Sequence, residues 1–268
     1  MRADLVLYGR LARAGFRRFS TYRLAMLGGL LTNSVFGFIR ASILLAAITS
    51  AGGAVAGYSR TQASSYVWWS QGLLASLALF TWTELSDRVR SGDIAVDFAR
   101  PADVQLSYLA ADLGRAAVQF LPRGLPSLVI GALTFGISFP RSPAGWVAGA
   151  VSLVLAVCIS FGLRYAVNVL AFWLVEVRGV QLLHLVVSGF FCGLYVPVAW
   201  FPGWLAALAH ATPFPSILQS PVDILSGRAT DGQLLPLLAT QLGWVALTLG
   251  AGRVLTGLGR HTLEVQGG

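Results

Sequence analysis

Side chains able to do chemistry are few in this 268-residue chain, and they are scattered. The histidines are His184, His210 and His261, and no two have the spacing of a metal-binding pair on one helix. No Gly-x-Ser-x-Gly elbow and no Ser–His–Asp set appears. Glu176, His210 and Asp223 could each move a proton at a membrane surface, but they stand far apart in the sequence. Cys158 and Cys192 fall inside apolar runs, where a thiol reads as a small apolar side chain. A P-loop needs a glycine-rich run ending in Gly-Lys. All 19 basic residues here are arginine, so this chain cannot hydrolyse ATP by that route.

The chemistry the sequence does concentrate is that of a docking surface. The run RSGDIAVDFARPAD, from Arg90 to Asp103, gathers charge in a chain that otherwise avoids it. Ile94, Val96 and Phe98 alternate with Asp93, Asp97 and Arg100, placing apolar knobs between charges of both signs, as protein interfaces do. A solvated loop is the plainer alternative. Gly92 ends the helix before it, and Pro101 disfavours helix at Arg100 while suiting the first turn of the next one. The wider loop, 85–116 with Glu84 at its edge, holds six of the 11 acids: Glu84, Asp87, Asp93, Asp97, Asp103 and Asp112. After Pro101 the spacing of Val104, Tyr108, Ala111 and Leu113 predicts a helix lying against the membrane.

These residues must be positioned by a chain that is 56% hydrophobic and 11% charged, against about 25% charged in soluble domains. The composition therefore predicts an all-α integral membrane protein occupying 1–268 as one unit. Residues 2–22 form a basic amphipathic helix. Leu5, Tyr8, Leu11, Ala12, Gly15, Phe16, Phe19 and Tyr22 share one face, and Arg10, Arg13 and Arg17 the other, so the helix lies in the membrane interface and is not a cleaved signal. Six spans follow at about 24–48, 63–84, 117–138, 145–175, 180–198 and 234–256, the third kinked near Pro122 and Pro126. With the N-terminus inside, cytoplasmic segments carry thirteen arginines and external loops only Arg60, Arg141 and Arg228. Both termini and the 85–116 loop are then cytoplasmic. The +8 charge sits beside apolar spans and forms no single basic face, which excludes nucleic acid as a partner.

Residues 199–232 are apolar but broken by Pro202, Pro213, Pro215 and Pro221. The stretch Gly203–His210 is too short to cross, which predicts an external re-entrant hairpin, with an ordinary interfacial loop as the alternative. Trp200, Phe201 and Trp204 sit where an aromatic belt belongs. Polar residues within the spans are Asn33, Arg40, Arg164, Asn168 and His184. Arg40 can snorkel outward, Arg164 can reach Glu176 only indirectly, and His184 fits a hydrogen bond between helices.

The loop residues Gly92, Ile94, Arg100 and Pro101 resemble the G-x-I-x-x-x-x-x-R-P loop of ABC transporter permeases of the second exporter type, the ABC-2-like superfamily. Within it, the chain resembles a bacterial branch in which two permeases share one ATPase. That branch's later signature is matched by Ser188-Gly189, Pro197, Phe201-Pro202, Trp204, Pro213-Phe214, Pro221, Ile224 and Gly227. The chain departs from the pattern at Asp97, where a bulkier apolar residue is usual. The resemblance covers nearly the whole chain and implies a permease subunit of an exporter in the bacterial plasma membrane. Its ATPase-contact residues would be Asp93, Ile94, Asp97, Phe98, Arg100 and Pro101, on a cytoplasmic coupling helix. ATP and magnesium would sit on a separate ATPase, with no cofactor on this chain. A second permease chain, a different one rather than a copy, would complete the path. The hairpin would cap that path, and the candidates for lining or gating it are Asn33, Arg40, Phe190, Phe191, Tyr195, Phe201 and Trp204. The alternatives are an integral-membrane enzyme acting on a lipid or prenyl substrate, using Glu176, His210 or Asp223, and a gradient-driven transporter, which would favour paired repeats and buried acids at mid-membrane.

Overall fold

In a computed structural model of the chain, which describes residues 2–21, 23–79 and 82–262, every regular element is helical, and no strand forms among the described residues. Tyr22, expected on the apolar face of the first helix, residues 80–81 of the second expected span, and the C-terminal residues 263–268 lie outside that description.

Helix α1 (Arg2–Ser20) and helix α2 (Arg23–Ser50) open the chain. Helix α3 (Arg60–Leu77) follows a glycine-rich turn, with Ser59 and Gln62 forming a reciprocal capping box at its start. Two short helices, α4 (Glu84–Ser91) and α5 (Ile94–Ala99), make an elbow before α6 (Val104–Gln119). A π-turn at Phe120–Gly124 joins α6 to α7 (Leu125–Thr134). Then come α8 (Pro143–Val169), α9 (Arg178–Phe191), α10 (Gly203–His210), α11 (Gln219–Leu225) and α12 (Asp231–Arg260).

Among the described residues, four helical stretches are long and apolar enough to cross a membrane: Met26–Ser50, Val104–Thr134, Pro143–Phe172 and Asp231–Arg260. The 25 residues of the first reach about 37 Å, more than the roughly 30 Å of a hydrocarbon core. The second and fifth expected spans are helical over less than their expected length. Helix α3 stops at Leu77, where Ala78 turns left-handed (φ 48°), whereas a span to residue 84 was expected. Helix α9 has 14 residues and ends at Phe191, seven short of the expected 198, because Gly193 (φ 86°) turns the chain away.

The third expected span begins much earlier than residue 117. Helix α6 starts at Val104 and runs on through the π-turn into α7, so the helix expected to lie against the membrane is the first part of the long one. Pro122 has no N–H to give and its ring crowds the preceding turn; widening one turn to π accommodates both without ending the helix.

Helix α3 is the axis of the bundle: most of its residues are buried, against α2, α6, α7 and α11. Helices α8 and α12 pack along each other on one side. On the other, α1 crosses α6 so closely that a Cβ at Gly15 would fall on the Ala111 carbonyl, and one at Gly114 on the Ala12 carbonyl. Small residues at such a crossing let the backbones meet. This explains why the inner face of α1, including Tyr8, Leu11, Ala12 and Phe19, is at least half-buried, whereas Phe16, expected on the same face, is exposed. Residues 198–225 are not a loose loop. Ile217, Leu218, Val222, Ile224 and Leu225 are buried, and α11 packs on α8 and α3, so the second half of this broken backbone is enclosed by protein while α10 stays largely exposed.

Candidate functional site

The elbow of α4 and α5 is built from local rules. Glu84 and Asp87 stand in the first turn of α4 and Arg88 and Arg90 in its last, each sign on the end of the helix dipole that favours it. Gly92 takes φ 80°, closing α4 as expected. Arg100 is extended (φ −76°, ψ 145°), as a residue before proline must be. The start of α6 lies slightly beyond the expected Pro101: Asp103 is its N-cap, its Oδ1 accepting from the Leu106 N–H at 2.8 Å, while its Oδ2 accepts from Arg253 of α12 at 3.1 Å.

The elbow is fastened to the bundle from inside. Ile94 is buried with Leu85, Val89, Val104 and Phe161. Asp97 is also buried. It accepts from Arg88 Nε at 2.7 Å and from the Tyr108 hydroxyl at 3.3 Å, with Arg100 at 3.6 Å. Burial, the largest single influence, would pull the Arg88 guanidinium down, but the hydrogen bond to Asp97 and the nearby Tyr108, Asp97 and Asp93 together outweigh it, and the net shift is upward. Phe98 stacks on Phe172, with ring centroids 6.3 Å apart, and the Arg260 guanidinium of α12 lies over the Phe98 ring, 5.3 Å from its centroid. Arg18 of α1 donates to both oxygens of Glu84, at 3.1 and 3.2 Å.

This sorts the six expected contact residues into two groups. Ile94, Asp97 and, in part, Phe98 face inward, contrary to the picture of apolar knobs presented outward; Ile94 goes in because it is the residue that meets the α6–α8 core. Asp93, Arg100 and Pro101 are exposed, together with Val96, 55% exposed. Asp97, where the sequence departs from the family pattern, is the inward anchor of Arg88.

Sequence reasoning missed a second polar centre. The sequence places Asp112 in the cytoplasmic loop and offers Arg164 only an indirect pairing with Glu176. Instead Asp112 of α6 is buried and accepts from Arg115 Nε at 2.7 Å and from Arg164 Nη2 of α8 at 2.8 Å. Arg115 also donates to the carbonyls of Ala75 and Ser76 at 2.8 Å each, satisfying the last turn of α3. The three-residue spacing of Asp112 and Arg115 was the available signal. Glu176 pairs with Arg178 and Arg90, at 3.7 and 3.8 Å. The Arg178 backbone N–H donates to it and holds its carboxyl below the usual range, the two guanidiniums adding to that.

At the opposite end of α3 lies a third centre, also missed. Gln219 of α11 donates to the Tyr58 hydroxyl at 3.0 Å and to Asp223 at 2.8 Å. Its Oε1 accepts from Tyr66 of α3 at 2.9 Å and from the Val198 N–H at 3.0 Å. Arg228 stands 3.5 Å from Asp223 and 4.2 Å over the Tyr58 ring. The expected path residues do not all come together. Phe190 stacks on Phe201 at 5.0 Å, and Phe191 on Phe214 at 6.3 Å. Asn33 donates to the Gln71 carbonyl at 3.2 Å, tying α2 to α3. Trp204 is on the surface, away from that stack. The three residues weighed as proton carriers do not meet one network: Asp223 is in this centre, Glu176 is at the α8–α9 turn, and His210 ends α10.

Residues 37–260 match the family described as ABC-2 family transporter protein. The chain belongs to that family. No curated protein matches it. It is thus a multi-pass helical membrane component of an ABC-2 transporter, a family whose members are generally non-catalytic permeases that work with an ATPase partner. The match takes in the elbow, the Asp112 centre and the Gln219 centre, and leaves α1 outside.

Proposed function

We propose that this chain is the permease subunit of an ATP-driven exporter in a bacterial plasma membrane, with a separate ATPase docked on the elbow of α4 and α5. ATP and magnesium belong to that ATPase. The observation that carries the reading is the elbow itself, in a chain of the ABC-2 family. It exposes Asp93, Val96, Arg100 and Pro101 on a short helix whose inner side is locked to α1, α6, α8 and α12. A docking helix must present charge outward and transmit force inward, and this one has the means for both.

In this reading α3 and α9 complete a six-span plan with the four long helices, both termini are cytoplasmic, and α1 lies at the inner interface. A second permease, a different chain in preference to a copy, meets this one along the path. The Gln219 centre and the α10–α11 segment cap its external end. Membranes from cells making tagged chain test the reading: an ATPase should co-purify in mild detergent, and Asp93→Arg and Arg100→Glu should abolish coupled transport while the chain still inserts. Absence of any ATPase, with transport persisting in an ATPase-deletion strain, overturns it.

A further inference from the structure

Arg40 is the one polar residue of the path-lining group whose charge the chain leaves unanswered. It lies on α2 beside the bundle face formed by Asn33, Gly37, Ala41 and Leu44. All three guanidinium nitrogens are inaccessible, and none has a hydrogen-bond partner among the described residues; what exposure the residue keeps lies elsewhere on it. It has not snorkelled to the surface. A buried unpaired guanidinium is costly enough that proteins almost always supply a counter-charge.

The groups around it are Tyr66, Cys192 and Tyr195. The Tyr66 hydroxyl is already spent on the Gly193 carbonyl and Gln219. Tyr195 is 57% exposed, and its hydroxyl makes no hydrogen bond among the described residues. So two neighbouring donors, one cationic and one neutral, are without an acceptor among the described residues. Close in sequence to Tyr195, Phe190 and Phe201 stack to give an apolar wall. A second copy of the chain could not answer the charge from its described buried acids. Asp112 is held by Arg115 and Arg164, Asp97 by Arg88, and Asp223 by Arg228.

We infer that Arg40 and Tyr195 form the headgroup site for an amphipathic anion, a carboxylate, sulfate or phosphate monoester carried on an apolar body. The inference rests on the permease reading and names the class of its cargo. The acidic group ion-pairs with Arg40 and accepts from Tyr195, while the body lies along the aromatic wall.

The test uses the full complex in phosphatidylcholine nanodiscs, titrated with dodecyl phosphate and with dodecyltrimethylammonium and read by intrinsic tryptophan fluorescence. Dodecyl phosphate should saturate and the cation should not. Arg40→Gln should weaken dodecyl phosphate at least tenfold, Arg40→Lys less, and Tyr195→Phe a few-fold. Because the empty site holds an uncompensated charge, ligand-free Arg40→Gln should melt no lower than the parent complex. Adding phosphatidylglycerol to the nanodiscs separates the sources of the anion: competition points to a membrane lipid, its absence to a soluble amphiphile. Equal response to both probes, unchanged binding by Arg40→Gln, or a fall in its melting temperature overturns the inference. So does separation of the two permease chains by that variant, which would make a carboxylate on the neighbouring permease the missing partner. Co-purification of the ATPase is scored on the same samples, so failure of the permease reading is seen separately.

Discussion

Replacing Asp112 by asparagine should damage this protein more than replacing the arginine across from it. The reason lies in how the three charges share their bonds. The Asp112, Arg115 and Arg164 side chains are only 10%, 11% and 5% exposed. Without the Asp112 charge, Arg115 still holds the carbonyls of Ala75 and Ser76. Arg164 has no such reserve: its Nε is already without a partner, its hydrogen bond is to Asp112, and it keeps only the Trp82 ring at 5.9 Å. Breaking a buried pair in this way costs about 3–5 kcal/mol. Arg164→Leu, by contrast, leaves Asp112 its bond to Arg115 and forfeits one charge-assisted hydrogen bond, about 1.5–3 kcal/mol.

At roughly 2–4 °C per kcal/mol for a chain of this size, Asp112→Asn should lower the melting temperature by roughly 6–20 °C and Arg164→Leu by clearly less. The double variant should melt above Asp112→Asn alone, because it leaves no stranded guanidinium. Tryptophan fluorescence of detergent-purified chain during heating reads all three. If the order of the single variants is reversed, or if the double variant falls by the sum of the two, the centre does not share charge as described.

Five further substitutions probe other links. Asp93→Arg and Val96→Asp alter the exposed face of α5 and should leave the melting temperature within about 2 °C, surface changes costing little, while the ATPase no longer co-purifies. Gly92→Val forces a β-branched residue to φ 80° and should destabilise by about 1–2 kcal/mol, measured as a lower melting temperature. Gly114→Leu sets a side chain against the Ala12 backbone and should release α1 from α6, seen as faster proteolysis within residues 2–20. Gln219→Leu strands the Val198 N–H and takes its donor from the Tyr58 hydroxyl, and should expose the 198–225 segment to cysteine labelling from outside while α4 and α5 keep their ATPase.

What the sequence made legible was what local rules control. Gly92 and Pro101 bracket α5 because left-handed φ and pre-proline sterics are properties of those residues alone. The amphipathic face of α1 was readable from its period, apart from Phe16, whose side chain is exposed although its backbone nitrogen lies at the crossing with α6. The union of α6 with the third span was not readable, although the start of α6 was. Asp112 and Arg115 look like solvated charges in a sequence, and only the fold shows that Arg164 arrives from 52 residues away to bury them. For the same reason α3 did not look like the centre of the molecule: Ser64, Ser70, Ser76 and Gln71 lower its hydropathy, yet all four are buried. Three of those serines bond to backbone carbonyls, within α3 or on its neighbours, which removes the cost of burying them.

Helix α3 is held at both ends by polar contacts to the elements that bracket transport in the proposed reading. At one end Arg115 of α6 grips its last carbonyls, and α6 begins at the elbow. At the other, Tyr66 reaches Gln219 and the Gly193 carbonyl, the junction of α9 with the α10–α11 segment. An ATPase pushing on the exposed face of α5 would move α6 through Ile94 and the Asp97–Tyr108 contact, and α6 would carry α3 with it. A hydrogen bond breaks over a displacement of about 1 Å, whereas packed side chains slide. The Tyr66–Gln219 pair is therefore where such a motion would first be felt outside. Tyr66→Phe removes that bond and keeps the ring, so it should uncouple the external segment from the elbow. The expected signature is ATPase activity and docking near the parent level with transport lost, and loss of docking in that variant would refute a link running from α5 through α3.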